Sequence, residues 1–231
     1  MPNLPAPTPH PKRQPHLTLA LVTYLLSTLA WLTPATAQTP AFASLSVEPA
    51  GRQTIDIISG VTTLPDGGSV VDRDTGVSLE AERISYRDGH FIEATGVVVE
   101  GSFGTLTAEY LHIDVPTGLL TANGSLRLER EGLSVVADEL RYYAEAQVAV
   151  FDGAVRGTAP NFQTERLLLD ADSGDVLLVG RYAYADGLLT LASPESGGRL
   201  ELRLSLNEGT ASYDAATEVR PEVLARFADY L

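Results

Sequence analysis

The sequence predicts an all-β protein assembled from strand pairs that recur about every 28 residues. Two patterns support this prediction: an eight-residue pattern that occurs four times, and a glycine-centred pattern that recurs at a similar spacing. Short turn-like segments separate the two patterns in every copy. A fixed period of this length is typical of repeat architectures, and strand-length halves between turns indicate β structure.

The first half of each copy places an acidic residue directly after a small one. The copies begin at Leu79, Leu106, Val135 and Phe162, and their acidic residues are Glu82, Glu109, Asp138 and Glu165. The small residue and the next apolar residue are three positions apart, as in Ala81 and Ile84. A regular strand cannot keep both of these on one face, so we expect a bulge or corner in every copy.

The second half of each copy alternates apolar and polar residues, as in Leu120, Ala122 and Leu126 with polar residues between them. A period of two is typical of a half-buried strand. The aligned glycines are Gly96, Gly124, Gly153 and Gly180. The turns between halves are short enough for hairpins, which favours antiparallel pairing.

The N-terminal residues 1–37 are typical of an export signal. Lys12 and Arg13 precede an uncharged apolar run at residues 17–32, and Ala35-Thr36-Ala37 fits a signal-peptidase site. An uncleaved N-terminal anchor is the alternative. The run of 16 residues is short for a membrane span, which needs about 20.

The remaining chain is strongly acidic and contains no cysteine. After residue 37 it carries 14 arginines against 30 acidic residues, a net charge of −16. Such a balance argues against nucleic acid as a partner, because phosphates require a basic surface. Its length fits a single domain, which needs no disulfides if the core is adequate.

We divide the chain into a signal (1–37), a flexible leader (38–51), a β domain (52–210) and a C-terminal tail (211–231). Residues 54–62 are expected to form one strand, residues 64–76 an exposed loop and residues 199–206 an alternating strand. The tail predicts a short helix with Pro221 in its first turn and apolar residues at helical spacing. We expect this helix to cover an edge strand or one end of the core, with partner docking as the alternative.

The repeat resembles the OstA-like family, which includes LptA and the N-terminal domain of LptD. Its pattern, Leu-x-Ala-Asp/Glu-x-Leu-x-Tyr followed by a strand with a central glycine, is carried well by residues 135–155. The resemblance implies an open β-jellyroll of two antiparallel sheets that binds the lipid part of lipopolysaccharide between them. It also implies end-to-end stacking into a bridge between two membranes.

The apolar columns of the repeat are the candidates for lining such a groove. They comprise Leu111, Leu140, Leu167, Val98, Leu126, Val155 and Tyr182. Partly open sheets would leave these columns as an apolar slot for acyl chains, at about 0.8 kcal/mol per buried methylene. The same residues would be apolar in any closed β core, so a filled core is the alternative.

The function expected from these features is that of a periplasmic, non-enzymatic carrier without cofactors. It would bind lipopolysaccharide or another acylated lipid, help carry it to the outer membrane, and contact other transport jellyrolls or its own copies at sheet edges. The alternative is a structural β array without lipid, such as a β-solenoid whose strands pair with those 28 residues further on.

Catalytic and metal sites are not predicted. His90 and His112 lack the neighbours of a catalytic triad. Residues 170–175 resemble part of a calcium loop, but they occupy the position of an ordinary hairpin turn and lack the closing glutamate.

Overall fold

The computed structural model describes residues 42, 44–207 and 210–231, which belong to one compact unit spanning residues 39–231. The predicted export signal lies outside the described residues. The strands are β1 Leu45–Pro49, β2 Thr54–Asp56, β3 Val61–Leu64, β4 Gly68–Asp72, β5 Ser78–Arg87, β6 Phe91–Gly101, β7 Gly104–Asp114, β8 Leu119–Arg130, β9 Leu133–Tyr143, β10 Val148–Ala159, β11 Asn161–Asp170, β12 Val176–Asp186, β13 Leu189–Ala192, β14 Gly198–Asn207 and β15 Thr210–Ala216. A short helix, α1 (Pro221–Arg226), and a 3-10 turn, Ala228–Tyr230, come after them.

The strands form one open antiparallel sheet. From β4 to β12 each strand pairs with the next in the chain; β1 pairs with β4 at one end, and β14 and β15 extend the other. The hairpin of β2 and β3 joins through β3 to β5, and β13 pairs with β12. The all-β fold with strand-pair repeats and a short C-terminal helix is confirmed. The described strands pair across hairpins, so the parallel pairing of a solenoid is wrong.

The long strands are interrupted where the sequence predicts a corner. The register of β7 with β8 skips between Thr107 and Tyr110, and that of β11 with β12 skips between Thr164 and Arg166. These skips are β-bulges, which bend a strand and re-aim its far half. The predicted bulge is therefore confirmed in the copies from β7 onward, whereas β6 pairs with β5 and with β7 in one unchanged register.

At each corner a repeat glycine meets the acidic residue of the neighbouring strand. Gly124 has φ +76°, and a Cβ added there would lie 2.8 Å from Cβ of Glu109. The carboxylate of Glu109 accepts a hydrogen bond from Ser125 Oγ at 2.5 Å. Gly96, Gly153 and Gly180 have the same positive φ and lie against Glu82, Asp138 and Glu165. The recurring acidic residues and the recurring glycines of the repeat thus meet in one close contact at each corner.

The corners fold the sheet over on itself. Phe103, in the turn between β6 and β7, packs edge-on against Tyr142 with ring centroids 4.9 Å apart. The turn that holds Phe103 and the end of β9 that holds Tyr142 lie at opposite ends of the paired strands. The two rings can therefore meet only if the strands bend back. The two layers expected from the family resemblance are accordingly two halves of one hydrogen-bonded sheet, with a continuous core between them.

Three predictions for the N-terminal part of the domain are wrong. The expected leader contains β1, the expected loop at residues 64–76 contains β4, and residues 54–62 form a hairpin rather than one strand. The reason lies in pairing: β4 inserts between β1 and β5, with Val70 opposite both Val47 and Leu79. Val70 is buried, whereas Asp and Gly residues occur mainly in the flanking turns.

The C-terminal helix covers a face of the sheet rather than an edge. Val223 and Phe227 pack on the outer face of β10, β11 and β12, against the apolar side chains of Val148, Val150, Leu168 and Leu177. These three strands are therefore buried on both faces, which explains their uninterrupted apolar runs. The tail assigned to residues 211–231 also begins with β15.

Ion pairs hold this C-terminal segment in place. Arg226 pairs with Asp170 on β11, and Arg220 pairs with Asp175 at 2.6 Å and with Glu201 on β14. Glu201 is a polar residue of the alternating strand 199–206, where alternation predicts that it faces solvent, but it is fully buried beneath Arg203 and Arg220. Burial raises the pKa of the Glu201 carboxyl, but hydrogen bonds from these arginines outweigh burial and hold the pKa below its ordinary value.

Replacing a corner glycine tests the bend. We expect Gly124→Ala to be less stable than the matched Gly89→Ala by at least about 1 kcal/mol. Gly89 shares the positive φ (+68°), but an added Cβ there meets nothing within 4 Å. Urea unfolding at neutral pH measures both. Equal losses would mean that only the backbone angle matters and that the contact with Glu109 does not.

Removing the aromatic ring of Phe227 tests the docking of the helix. Phe227 is fully buried, so we expect Phe227→Ala to cost about 3–5 kcal/mol in the free energy of unfolding. Leu231 is 41% exposed, and Leu231→Ala should stay within about 0.5 kcal/mol of wild type. Unchanged urea unfolding of Phe227→Ala would contradict a docked helix.

Candidate ligand pocket

Most of the predicted groove residues lie in the packed core. Leu111, Leu140, Leu167, Leu126 and Val155 are at most 1% exposed, and Tyr182 is 9% exposed. All six belong to the core cluster between the two halves of the folded sheet. They share one interior as the repeat predicts, and that interior is closely packed around them.

Val98 lies on the outer face instead. It is 41% exposed, while its neighbours Val97 and Val99 are buried. Val97 pairs with Ala108 as Leu126 pairs with Ala137, so Val97 holds the inward position. In the later copies β8, β10 and β12 each hold one extra residue at the corner, seen as a register skip against the neighbouring strand, whereas β6 holds none. This one-residue difference shifts the facing of every residue after it.

An open cavity of about 910 Å³ lies at the N-terminal end of the domain. It is bounded by β1, by the hairpin of β2 and β3, and by the turns after β5 and β7. Its lining residues are Phe42, Leu45, Ser46, Val47, Gln53, Ile55, Thr62, Tyr86, Arg87, Asp88, Gly89, Ile92, Val115 and Pro116. We call it the N-terminal pocket. Its volume falls within the range of small-molecule sites, about 300–1,000 Å³.

The floor of the N-terminal pocket is apolar and continuous with the core. Phe42, Ile92 and Val115 are buried members of the core cluster, and Leu45 and Val47 of β1 pack against it. The alternation of Leu45 and Val47 along β1 sends both toward this interior. An apolar chain entering the pocket would therefore meet the side chains that form the core.

The rim of the N-terminal pocket is polar. Gln53, Arg87, Asp88 and Gly89 are exposed and lie on segments at its opening. Apolar walls with a few polar groups at the mouth are typical of sites that bury the apolar part of a ligand. Its head group would then meet solvent and the Arg87 guanidinium.

A buried carboxylate, that of Asp72, organises the wall formed by the N-terminal segment. It accepts hydrogen bonds from Ser44 Oγ, from Thr75 Oγ1 at 2.7 Å and from the backbone N–H of Asp74 at 3.1 Å. Burial raises the pKa of Asp72, but these hydrogen bonds and one with the backbone of Phe42 outweigh burial and lower it. Asp72 thus ties β4 to the segment that carries Phe42 into the pocket.

The two described histidines and the calcium-like segment take part in local contacts and turns. His112 lies 3.7 Å from Glu93 and stacks on Phe91, and the backbone N–H of His90 donates to Arg87 in a turn. Asp170, in the calcium-like segment, accepts hydrogen bonds from Arg226 and from its own turn. In the described ranges no group of three or more His, Cys, Asp or Glu side chains is placed to hold a metal ion. Nor does any described helix combine the length and apolar character needed to cross a membrane.

No protein-family model matches the chain, and no curated protein matches its sequence.

The N-terminal pocket was missed by sequence reasoning because it forms where segments outside the repeat meet the strand ends and turns of the first copies. Its walls come from residues assigned to a leader and from a hairpin assigned to one strand. The alternation Leu45-Ser46-Val47 is the one available signal for β1, but three residues of alternation are too few to predict a strand.

The role of Asp72 predicts that the difference in free energy of unfolding between wild type and Asp72→Asn depends on pH. Because the folded pKa is lowered, the carboxylate stabilises the fold above the ordinary aspartate value of about 3.9, and this is lost as pH falls through the folded pKa. At pH 7 we expect Asp72→Asn to lose about 1–3 kcal/mol.

Urea unfolding at pH 7 and at about pH 3 checks this expectation, with Asp74→Asn, an exposed residue of the turn after β4, as the control. The gap between wild type and Asp72→Asn should narrow at the lower pH. A gap that stays constant would contradict a charge-dependent contribution.

Proposed function

We propose that this protein is an exported envelope protein that binds an acylated lipid and helps carry it to the outer membrane. The observation that carries the proposal is the N-terminal pocket, an open apolar cavity of about 910 Å³ at the end of a folded sheet. Lipopolysaccharide or a related amphiphile is the proposed ligand, with acyl chains inside and the head group at the rim. Binding without catalysis is the proposed mode of action.

Physical chemistry supports an acyl ligand. Each methylene transferred from water into an apolar site contributes about 0.8 kcal/mol, so a chain of several carbons can bind without polar anchoring. The floor of Phe42, Ile92 and Val115 offers no charge to such a chain. The resemblance of the repeat to OstA-like proteins supports the same class of ligand.

Charge sets a condition on the head group. The whole chain carries a net charge of −14, which disfavours burial of a polyanionic head group. A phosphate-bearing head group therefore stays at the mouth, where Arg87 is the cation among the lining residues. The periplasm is the proposed location, in keeping with the export signal predicted from residues 1–37.

Partners of the same fold are proposed to meet the sheet edges. Among the described strands, β1 pairs only with β4 and β15 pairs only with β14. An edge strand presents unpaired backbone groups that can add a strand from another protein. Other envelope-transport jellyrolls, or a second copy of this chain, fit such an edge.

A structural scaffold without lipid is the second candidate. It is favoured by the packing around Leu111, Leu126, Leu140, Val155 and Leu167, which leaves these predicted groove positions at most 1% exposed. Under this alternative the N-terminal pocket would remain empty in the envelope.

A charged side chain in the wall of the N-terminal pocket separates the two candidates. Val47 lines the pocket on β1, whereas Val71 on the paired strand β4 is 39% exposed. We expect Val47→Arg to weaken fatty-acyl binding at least about tenfold, because it places a charge where an apolar chain would lie. Val71→Arg should bind as wild type does.

Fluorescent fatty-acid titration measures the affinity, and native mass spectrometry of protein purified from its envelope identifies any bound lipid. Circular dichroism establishes that both variants remain folded. A wild-type protein with no bound lipid and no affinity for added lipid would overturn the carrier function in favour of the scaffold.

A further inference from the structure

The hairpin of β2 and β3 exposes two large aliphatic side chains at its tip. Ile57 is 91% exposed and Ile58 is 95% exposed, and both lie in the turn between the two strands. Exposed single apolar residues are ordinary, but two adjacent isoleucines at the end of a protruding turn form a local apolar surface. Nothing in the core packing of the domain requires them, since residues 51–60 are all exposed.

The tip is held in a fixed shape by Asp56. Its carboxylate accepts hydrogen bonds from the backbone N–H of Ile58 at 2.9 Å and from Ser59 Oγ at 2.8 Å. Its carbonyl accepts another from the N–H of Gly60 at 2.8 Å. Each carboxylate oxygen of Asp56 thus accepts a hydrogen bond from the turn, and residues 57–60 themselves carry no charge. The two isoleucines are therefore presented to solvent by a preformed turn.

The size and shape of this surface indicate what covers it. A stable protein–protein interface buries about 1,200 Å² or more in total, and two side chains fall well short of that area. A protruding tip also cannot be covered by a flat protein surface on all sides. The apolar layer of a lipid bilayer can surround it fully, as it does the apolar residues of other interfacial segments.

The hairpin also forms part of the N-terminal pocket. Ile55 on β2 and Thr62 on β3 line the pocket, and Ile55 is itself 57% exposed. The apolar surface of the hairpin thus runs from the tip to the mouth of the pocket. A bilayer that received the tip would lie next to the opening.

We propose that the hairpin of β2 and β3 is a membrane-contacting finger that inserts Ile57 and Ile58 into a lipid bilayer and brings the mouth of the N-terminal pocket to the membrane surface. Membrane contact by the tip is inferred from the exposed isoleucines and does not depend on the proposed function. Delivery of an acyl chain to the pocket does rest on the proposed function. Since the chain carries a net charge of −14, a zwitterionic bilayer is the expected target and an anionic one is disfavoured.

A fluorophore at the tip tests insertion directly. The sequence contains no cysteine, so Ile58→Cys in the full chain gives a single labelling site for an environment-sensitive dye. Leu188→Cys is the matched control, because Leu188 is fully exposed in the turn between β12 and β13, outside the hairpin. The probe is a phosphatidylcholine vesicle with nitroxide groups on its acyl chains.

The dye at position 58 should shift to the blue and be quenched by the acyl-chain nitroxide, while the dye at position 188 should not. Because each label reports its own surroundings, this readout is unaffected by any contact of residues 1–37 with the vesicle. No change at position 58, or equal quenching at both positions, would overturn the finger.

The double variant Ile57→Ser/Ile58→Ser keeps the two proposals separable. We expect it to bind monomeric fluorescent fatty acid as wild type does without vesicles, and to take up acyl chains from vesicles at least about tenfold more slowly. Unchanged uptake from vesicles would overturn the role of the finger in delivery. Absence of fatty-acid binding by wild type would instead overturn the carrier function, with the position-58 signal still deciding insertion.

Discussion

Every long strand of the repeat has to bend near its middle, and the rest of the fold depends on that bend. At the corners, glycines with positive φ such as Gly124 and Gly153 lie directly against acidic side chains of the neighbouring strand. Because neighbouring corners align, the whole sheet folds rather than single strands. The fold brings two apolar half-faces together, and their burial stabilises the domain.

The two ends of the sheet are completed differently. At the C-terminal end, α1 and the adjoining Phe227 cover the outer face of β10 to β12, so these strands are packed on both sides. At the N-terminal end, β1 and the β2–β3 hairpin extend the folded sheet without filling its interior, and the N-terminal pocket remains. The domain thus has one doubly packed end and one open end with an apolar floor, and the open end is where the proposed ligand would enter.

The candidate site could be predicted only in part. The repeat correctly placed Leu126, Leu140 and four equivalent residues in one interior, because alternation reports which face is buried. It misplaced Val98, because one residue fewer at the corner of β6 reverses the facing of the residues beyond that corner. It could not find the N-terminal pocket, which forms where β1 and the β2–β3 hairpin meet the strand ends and turns of the first copies.

The sequence by itself determined the all-β class, the strand-pair period, the antiparallel hairpins and the corners, since each depends on local periodicity and turn chemistry over a few residues. Only the tertiary structure decided that the sheet folds into two facing halves, that β4 pairs with β1, and that the helix covers a face. Those outcomes depend on contacts between residues far apart in the chain, such as Phe227 with Val150, and local patterns carry no record of which distant surfaces meet.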